Sequence, residues 1–187
     1  MRVLVACEFS GVVRDAFVAR GHDAWSCDIL PGEGLHPYRH YQQDIFEVIG
    51  RDWDLMIAHP PCTRLANSGV RWLNERNLWG DLEEAILFFN KLKLANIGKI
   101  AVENPIPHKY AVAGIGKYDQ IIQPWQFGHG ETKATCLWLK GLPKLIPTDI
   151  VKGREQRIHK LPPSKDRAKL RSMTYTGIAN AMAEQWG

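Results

Sequence analysis

Leu55-Met56-Ile57-Ala58-His59-Pro60-Pro61-Cys62 is the stretch that decides how this chain is read. Four consecutive apolar residues have the pattern of a strand buried on both faces. The two prolines that follow lock φ and remove backbone donors, so the strand cannot continue. A second run, Lys99-Ile100-Ala101-Val102, ends in Glu103-Asn104-Pro105 in the same way. Each run delivers a reactive side chain, Cys62 or Glu103, on a loop at its carboxyl end. In open α/β sheets ligands bind at those loops. Adjacent parallel strands lie about 4.8 Å apart, so a nucleophile and a proton-handling carboxyl can flank one ring. The pair points to covalent chemistry on a base.

Outward from these runs, strands alternate with helices. Residues 2–6 read as a buried strand, with Ser10 and Gly11 in a loop and a helix from Val12 to about Arg20 ended by Gly21. Residues 23–27 form a second strand ending at Asp28, and Asp44 to Ile49 a short helical or turn segment. Residues 81–96 are the strongest helix, with Asp81 as its expected N-cap. Beyond the strand at 99–103, residues 119–126 and 134–140 look like antiparallel strands around the turn Gly128-His129-Gly130. A Pro- and Lys-rich irregular section precedes a last helix from about Thr176 to Trp186. This order predicts an α/β fold with a doubly wound, mostly parallel sheet and antiparallel strands toward the C-terminus.

The bulk composition fits one globular domain over residues 1–187, with 45% hydrophobic and 24% charged residues. No apolar run is long enough to cross a bilayer and the N-terminus lacks a signal-peptide pattern, so a cytoplasmic protein is expected. Cys7, Cys27, Cys62 and Cys136 are far apart and form no C-x-x-C, which indicates neither a metal site nor a disulfide framework. Net charge is +4, yet residues 151–172 alone carry +6 through eight Lys and Arg against Glu155 and Asp166. Such a segment either contacts phosphates or is a solvated loop.

Asp28 follows Gly11 by 17 residues, the place of an acid that takes hydrogen bonds from ribose hydroxyls. G-x-G-x-x-G and Walker-type loops are absent. The cofactor suggested is an adenosine without a pyrophosphate, which fits S-adenosylmethionine better than NAD or ATP. An isolated cysteine is most often a small buried hydrophobe. The rigid proline loop and the position past a strand end favour Cys62 as a nucleophile instead. Glu103, if buried, should hold a raised pKa. His59 could tune Cys62, cap a strand or face solvent. Trp72, Trp79, Trp125 and Trp138 could stack on bases, although packing is the commoner use of tryptophan.

Pro60-Pro61-Cys62 resembles the Pro-Cys motif of the cytosine-C5 DNA methyltransferases, and Glu103-Asn104-Pro105 their Glu-Asn-Val motif. Further segments fall in the family's order: Cys7-Glu8-Phe9-Ser10-Gly11 as the first cofactor loop, Asp28 as the ribose acid, and Gln43-Asp44-Ile45 as the adenine-contacting element. Ile178-Ala179-Asn180-Ala181 resembles the C-terminal Gly-Asn segment. The likeness is strongest to short phage and prophage forms. It implies a Rossmann-like S-adenosylmethionine-dependent fold, cofactor contacts from Phe9, Gly11, Asp28, Asp44, Pro60 and Asn180, and catalysis by Cys62 and Glu103.

Cys62 would add to C6 of the pyrimidine while Glu103 contacts its N3/N4 edge, on a nucleotide flipped out of the stack. Of the family's F-x-G-x-G loop only Gly11 is kept, and its Gln-x-Arg-x-Arg element is not evident, with Lys133 standing nearby as a replacement cation. About 35 residues separate the strand at 134–140 from the C-terminal segment, too few for a separate recognition domain. DNA contact is expected from Lys133, Arg154, Arg157, Lys160, Lys165 and Arg167, with little sequence specificity. A homodimer or a partner protein would then supply recognition. The alternatives are an exocyclic amino-methyltransferase and a nucleic-acid-binding protein or partner subunit of the same fold.

Overall fold

The apolar runs form the centre of a seven-stranded sheet. A computed structural model describes the backbone of residues 1–187 and every side chain except that of His159. The strands are β1 (Arg2–Ala6), β2 (Asp23–Asp28), β3 (His40–Gln42), β4 (Leu55–Ala58), β5 (Lys99–Pro105), β6 (Gln120–Ile122) and β7 (Thr135–Lys140), in the spatial order β3-β2-β1-β4-β5-β7-β6. β7 runs antiparallel to both neighbours and the other pairings are parallel. The chain winds outward from β1 to β3, then returns to lay β4 on the other side of β1. That reversal opens a crevice at the carboxyl ends of β1 and β4, where such sheets bind ligands.

Both faces of the sheet are covered at its centre, which is why residues 3–6 of β1, all of β4 and residues 100–102 of β5 are continuously apolar. Leu4, Ala6, Met56, Ala58, Ile100 and Val102 face one core, closed by α3 (Trp79–Lys93) and α4 (Lys109–Ile115). The alternate residues Val3, Val5, Leu55, Ile57 and Ala101 face the other, closed by α1 (Val12–Ala19) and α7 (Thr176–Gln185). In α7, Ile178 and Met182 are almost completely buried, as is Trp186 just beyond it. Each contributes about 1.5–3 kcal/mol or more by leaving water. Among the described residues no helix is long and apolar enough to cross a membrane.

Several local expectations are corrected. The long helix begins at Trp79, so Asp81 lies in its first turn and pairs with Arg64 at 3.0 Å rather than capping it. β3 is a strand because its backbone pairs with β2 (Ser26 with His40, Asp28 with Gln42), not because its polar sequence favours one. The helix α4 is unannounced because its cap is a histidine: His108 Nδ1 accepts the Ala111 N–H at 3.0 Å. β6 and β7 do pair antiparallel, but residues 123–134 join them through a 3-10 turn at Pro124–Gln126 rather than a tight hairpin. The basic section contains two short helices, Arg157–Lys160 and Arg167–Ser172.

Candidate active site

Strand register builds the centre of the site. Ala58 of β4 is paired with Val102 of β5, so the next residues, His59 and Glu103, stand side by side on the α7 face of the sheet. Neighbours in register on parallel strands share a face at close range. His59 Nδ1 lies 3.0 Å from Glu103 Oε2, and both side chains are largely buried. Burial disfavours the imidazolium, yet the bond and charge of Glu103, with Glu8 beyond, outweigh it and raise the His59 pKa above its ordinary value. Burial likewise pushes Glu103 up, but His59 holds it below the usual carboxylate range, with help from Lys133. The expected raised Glu103 pKa is therefore corrected: a cationic neighbour outweighs desolvation.

Pro60 is buried and Pro61 exposed, and the chain turns at Cys62, whose carbonyl accepts the N–H groups of Leu65 and Ala66 at 3.0 and 2.8 Å. Cys62 is half-buried. Burial and the Glu103 charge push its thiol up, opposed by its own backbone N–H, Lys133 and Arg171. At rest Cys62 is a thiol that needs activation. Lys133 and Glu103 line one small cavity with Thr135, Thr174, Tyr175, Ile178 and Met182, and Lys133 Nζ donates to the Met173 carbonyl at 3.1 Å.

A second group of acids stands at the carboxyl ends of β1, β2 and β3. Asp28 and Asp44 both act on the Cys7 thiol, which burial chiefly raises to about 12. Asp28 Oδ1 accepts the Leu30 N–H and Asp44 Oδ1 the Phe46 N–H, each at 2.9 Å. One oxygen of each is left without a hydrogen bond from the described residues. Exposed apolar side chains follow each acid, Ile29 after Asp28 and Phe46 after Asp44. Two acceptor-only carboxylates beside apolar surface suit a nucleoside, whose hydroxyls and exocyclic amine are donors.

The first loop is held by the chain itself. Gly11 has φ 73°, and a methyl there would fall on the Arg14 guanidinium and lie 2.7 Å from the Glu33 carbonyl. Arg14, fully buried, donates to that carbonyl at 2.6 Å and to Ser26 Oγ at 2.9 Å. The Glu33 N–H donates to the Phe9 carbonyl at 2.7 Å, so residues 29–36 lie against the loop. The buried Glu8 carboxylate accepts the Val13 and Arg14 N–H groups at 2.7 and 3.2 Å, filling the N-terminus of α1. Burial raises the Glu8 pKa against these bonds.

The remaining sequence candidates divide. Phe9 is half-buried under Lys169, whose Nζ lies 5.7 Å from its ring and pairs with Glu33 at 2.5 Å. Asn180 is exposed on α7, without a side-chain hydrogen bond to the described residues. Arg154 folds back over Trp125 at 3.8 Å and donates to the Val151 and Gly153 carbonyls. Arg157 is engaged by Glu131 and Glu155 at 3.0 and 3.2 Å. Lys160 and Lys165 are exposed, and Arg167 is half-buried with an unbonded Nε. Trp138 packs on Phe89 in the core, whereas Trp72 is held between Arg71 and Arg76.

Sequence reading missed the His59–Glu103 pair and the Glu8 cap. The signal for the first was present, since each residue follows a four-residue run at the same place in its strand.

No family model and no curated protein matches the chain. Among solved structures it is similar to an E. coli prophage-encoded protein assigned as a DNA modification methyltransferase, at 18% identity and TM-score 0.48, over 87% of this chain and 55% of that one. It is also similar to the Entamoeba histolytica methyltransferase EhMeth, at 14% identity and TM-score 0.53, over 81% of this chain and 57% of that one. The chain thus spans little more than half the length of either. Together with the strand order, the second likeness shows a Rossmann-like fold of the kind that methyltransferase has.

Proposed function

We propose that this protein transfers a methyl group from S-adenosylmethionine to C5 of cytosine in DNA, through a transient bond between Cys62 and the base. The observation that carries the reading is the meeting of Cys62, Glu103 and Lys133 at the carboxyl ends of β4 and β5, next to the acids of β2 and β3. A methyltransferase needs a nucleoside-binding rim beside a base-handling one, and the crevice between β1 and β4 separates the two by one strand. The likeness in fold to the methyltransferase EhMeth agrees with this class of reaction.

The residues fit the cofactor at its adenosine end. Asp28 and Asp44 would hold the ribose hydroxyls and the adenine amine, with Ile29 and Phe46 as apolar neighbours. When bound, the cofactor supplies an electrophilic methyl group. Cys62, once deprotonated, adds to C6 of the pyrimidine and makes C5 electron-rich. Glu103 accepts from the exocyclic amine and handles the proton at N3, while His59 keeps it oriented. Lys133 offsets the local negative charge. Of the expected DNA contacts in the basic section, Lys160, Lys165 and Arg167 are available for phosphates, whereas Arg154 and Arg157 would first have to leave their partners. Contacts of this kind position DNA without reading its sequence, so low specificity or a recognition partner follows.

A second reading, binding without turnover, is favoured by the self-filled α1 N-terminus and the Gly11 turn packed on Arg14 and Glu33. Incubation with labelled S-adenosylmethionine and duplex DNA, single-stranded DNA, RNA or dCMP, followed by nucleoside mass spectrometry, separates the two. Label in 5-methylcytosine that disappears in Cys62→Ala is the expected result. Label in N4-methylcytosine or N6-methyladenine, or full transfer by Cys62→Ala, refutes the covalent C5 route. DNA binding without any methyl transfer supports the second reading.

A further inference from the structure

His59 is bonded to one carboxyl group and acted on by a second, at the ends of three adjacent strands. Glu103 approaches its Nδ1 from β5, Glu8 acts on it from the loop after β1, and Lys133 opposes them from the loop before β7. Its side chain is 10% exposed, and its Nε2 is shut off from water without a partner among the described residues. Buried polar atoms are normally hydrogen-bonded, so an orphan nitrogen in a site calls for a reason. The backbone N–H of His59 is spent on the Ala6 carbonyl at 2.9 Å, which holds the ring rigidly beside Glu103.

We propose that His59 is a positioning residue that stores the proton Glu103 delivers to the ring nitrogen of the target pyrimidine. The role rests on the reading of Cys62 and Glu103 given above. Cys62 first loses its thiol proton to water. As the sulfur–C6 bond forms, the C5=C6 electron pair becomes a C4=C5 bond and the C4=N3 pair moves onto N3. N3 takes a proton from the Glu103 carboxyl, which has taken it from His59 Nδ1, leaving a neutral imidazole and an ionised Glu103. When Cys62 departs, the proton returns by the same path. A carboxyl held low by its neighbour is a weak reservoir by itself, whereas the imidazole bonded to it, with its pKa raised above the ordinary value by Glu103 and Glu8 against burial, keeps its proton to higher pH.

Tritium release from C5 of [5-³H]cytosine in DNA reads the addition step without methyl transfer. Below the His59 pKa the wild-type rate rises tenfold per pH unit with the thiolate fraction. It flattens at that pKa, because thiolate gained is matched by imidazolium lost. His59→Asn keeps an N–H donor toward Glu103 but carries no titrating proton. It should be slower by about 10²-fold and rise without the break, and His59→Gln serves if the first variant fails to fold. A variant within about twofold of wild type that keeps the break overturns the role. Imidazole ¹⁵N NMR is the independent readout: the His59 pKa should lie above its ordinary value and fall in Glu103→Gln. Release by wild type with a His59 that stays neutral across about pH 5–9 overturns the His59 role alone. No release by wild type overturns the reading of Cys62, and the role of His59 with it.

Discussion

Replacing Gly177 by alanine should destabilise this protein, although the same change in a helix ordinarily helps by about 1 kcal/mol. Gly177 lies in the first turn of α7, where a methyl would fall on the Phe127 carbonyl oxygen and sit 2.9 Å from its carbon. Phe127 is 2% exposed, and the obstacle is backbone, which cannot rotate aside. The Gly177 N–H also donates to His129 Nε2 at 3.0 Å, so any retreat of α7 stretches that bond. Overpacking costs about 1–3 kcal/mol, occasionally more. A clash this close with fixed backbone belongs at the upper end of that range, so against the propensity gain a net loss of about 2 kcal/mol remains, or a Tm lower by about 4–8 °C for a chain of this length. Gly80, in the first turn of α3, is the control: nothing lies within 4 Å of a methyl there. Gly80→Ala should raise Tm by a few degrees, since it adds propensity of up to ~1 kcal/mol without a clash. Calorimetry of both variants decides the matter. A Gly177→Ala protein as stable as wild type, or two shifts of the same sign, would refute the packing argument.

Two further outcomes follow from the acids. Asp28→Asn and Asp44→Asn should each weaken S-adenosylmethionine binding by about tenfold, the worth of one charge-assisted hydrogen bond. Titration calorimetry checks this, and unchanged affinity in both removes them from the cofactor site. Burial pushes the Asp15 carboxyl up, but Arg14, the Leu35 N–H and His36 outweigh it and hold its pKa below the ordinary value. That stability is present above the unfolded pKa of about 3.9 and is lost as pH falls through the lower folded value. Asp15→Asn should therefore lower Tm at neutral pH, with a gap that closes on strong acidification; a gap that widens in acid contradicts the assignment.

The central strands were legible because burial on both faces demands unbroken apolar runs, and 3–6, 55–58 and 100–102 have them. β3 was not, because His40-Tyr41-Gln42 has no such run and is held by backbone pairing with β2. The first turn of α4 was hidden by an unusual cap, and Asp81 was misplaced because the helix starts two residues earlier, at Trp79. Cys62, Glu103 and Asp28 could be named from their positions at strand ends, and Asp44 from the resemblance of Gln43-Asp44-Ile45 to a family element. What they touch could not. Glu8 and Arg14 gave no sequence signal, since a charged residue is normally solvated and only the fold closes over these two.

By itself the sequence determined the doubly wound class, the strand ends at which reactive side chains emerge, and the basic character of 151–172. Tertiary structure alone decided that His59 belongs to Glu103, that Glu8 caps α1, and that Arg154 and Arg157 are engaged by their own chain. The reason is physical. Backbone donors and acceptors are alike along every strand, so hydrogen bonding does not select which strands are neighbours or in what register. Side-chain packing on the two faces selects both, and the pairing of Ala58 with Val102 is what sets a histidine against a carboxylate.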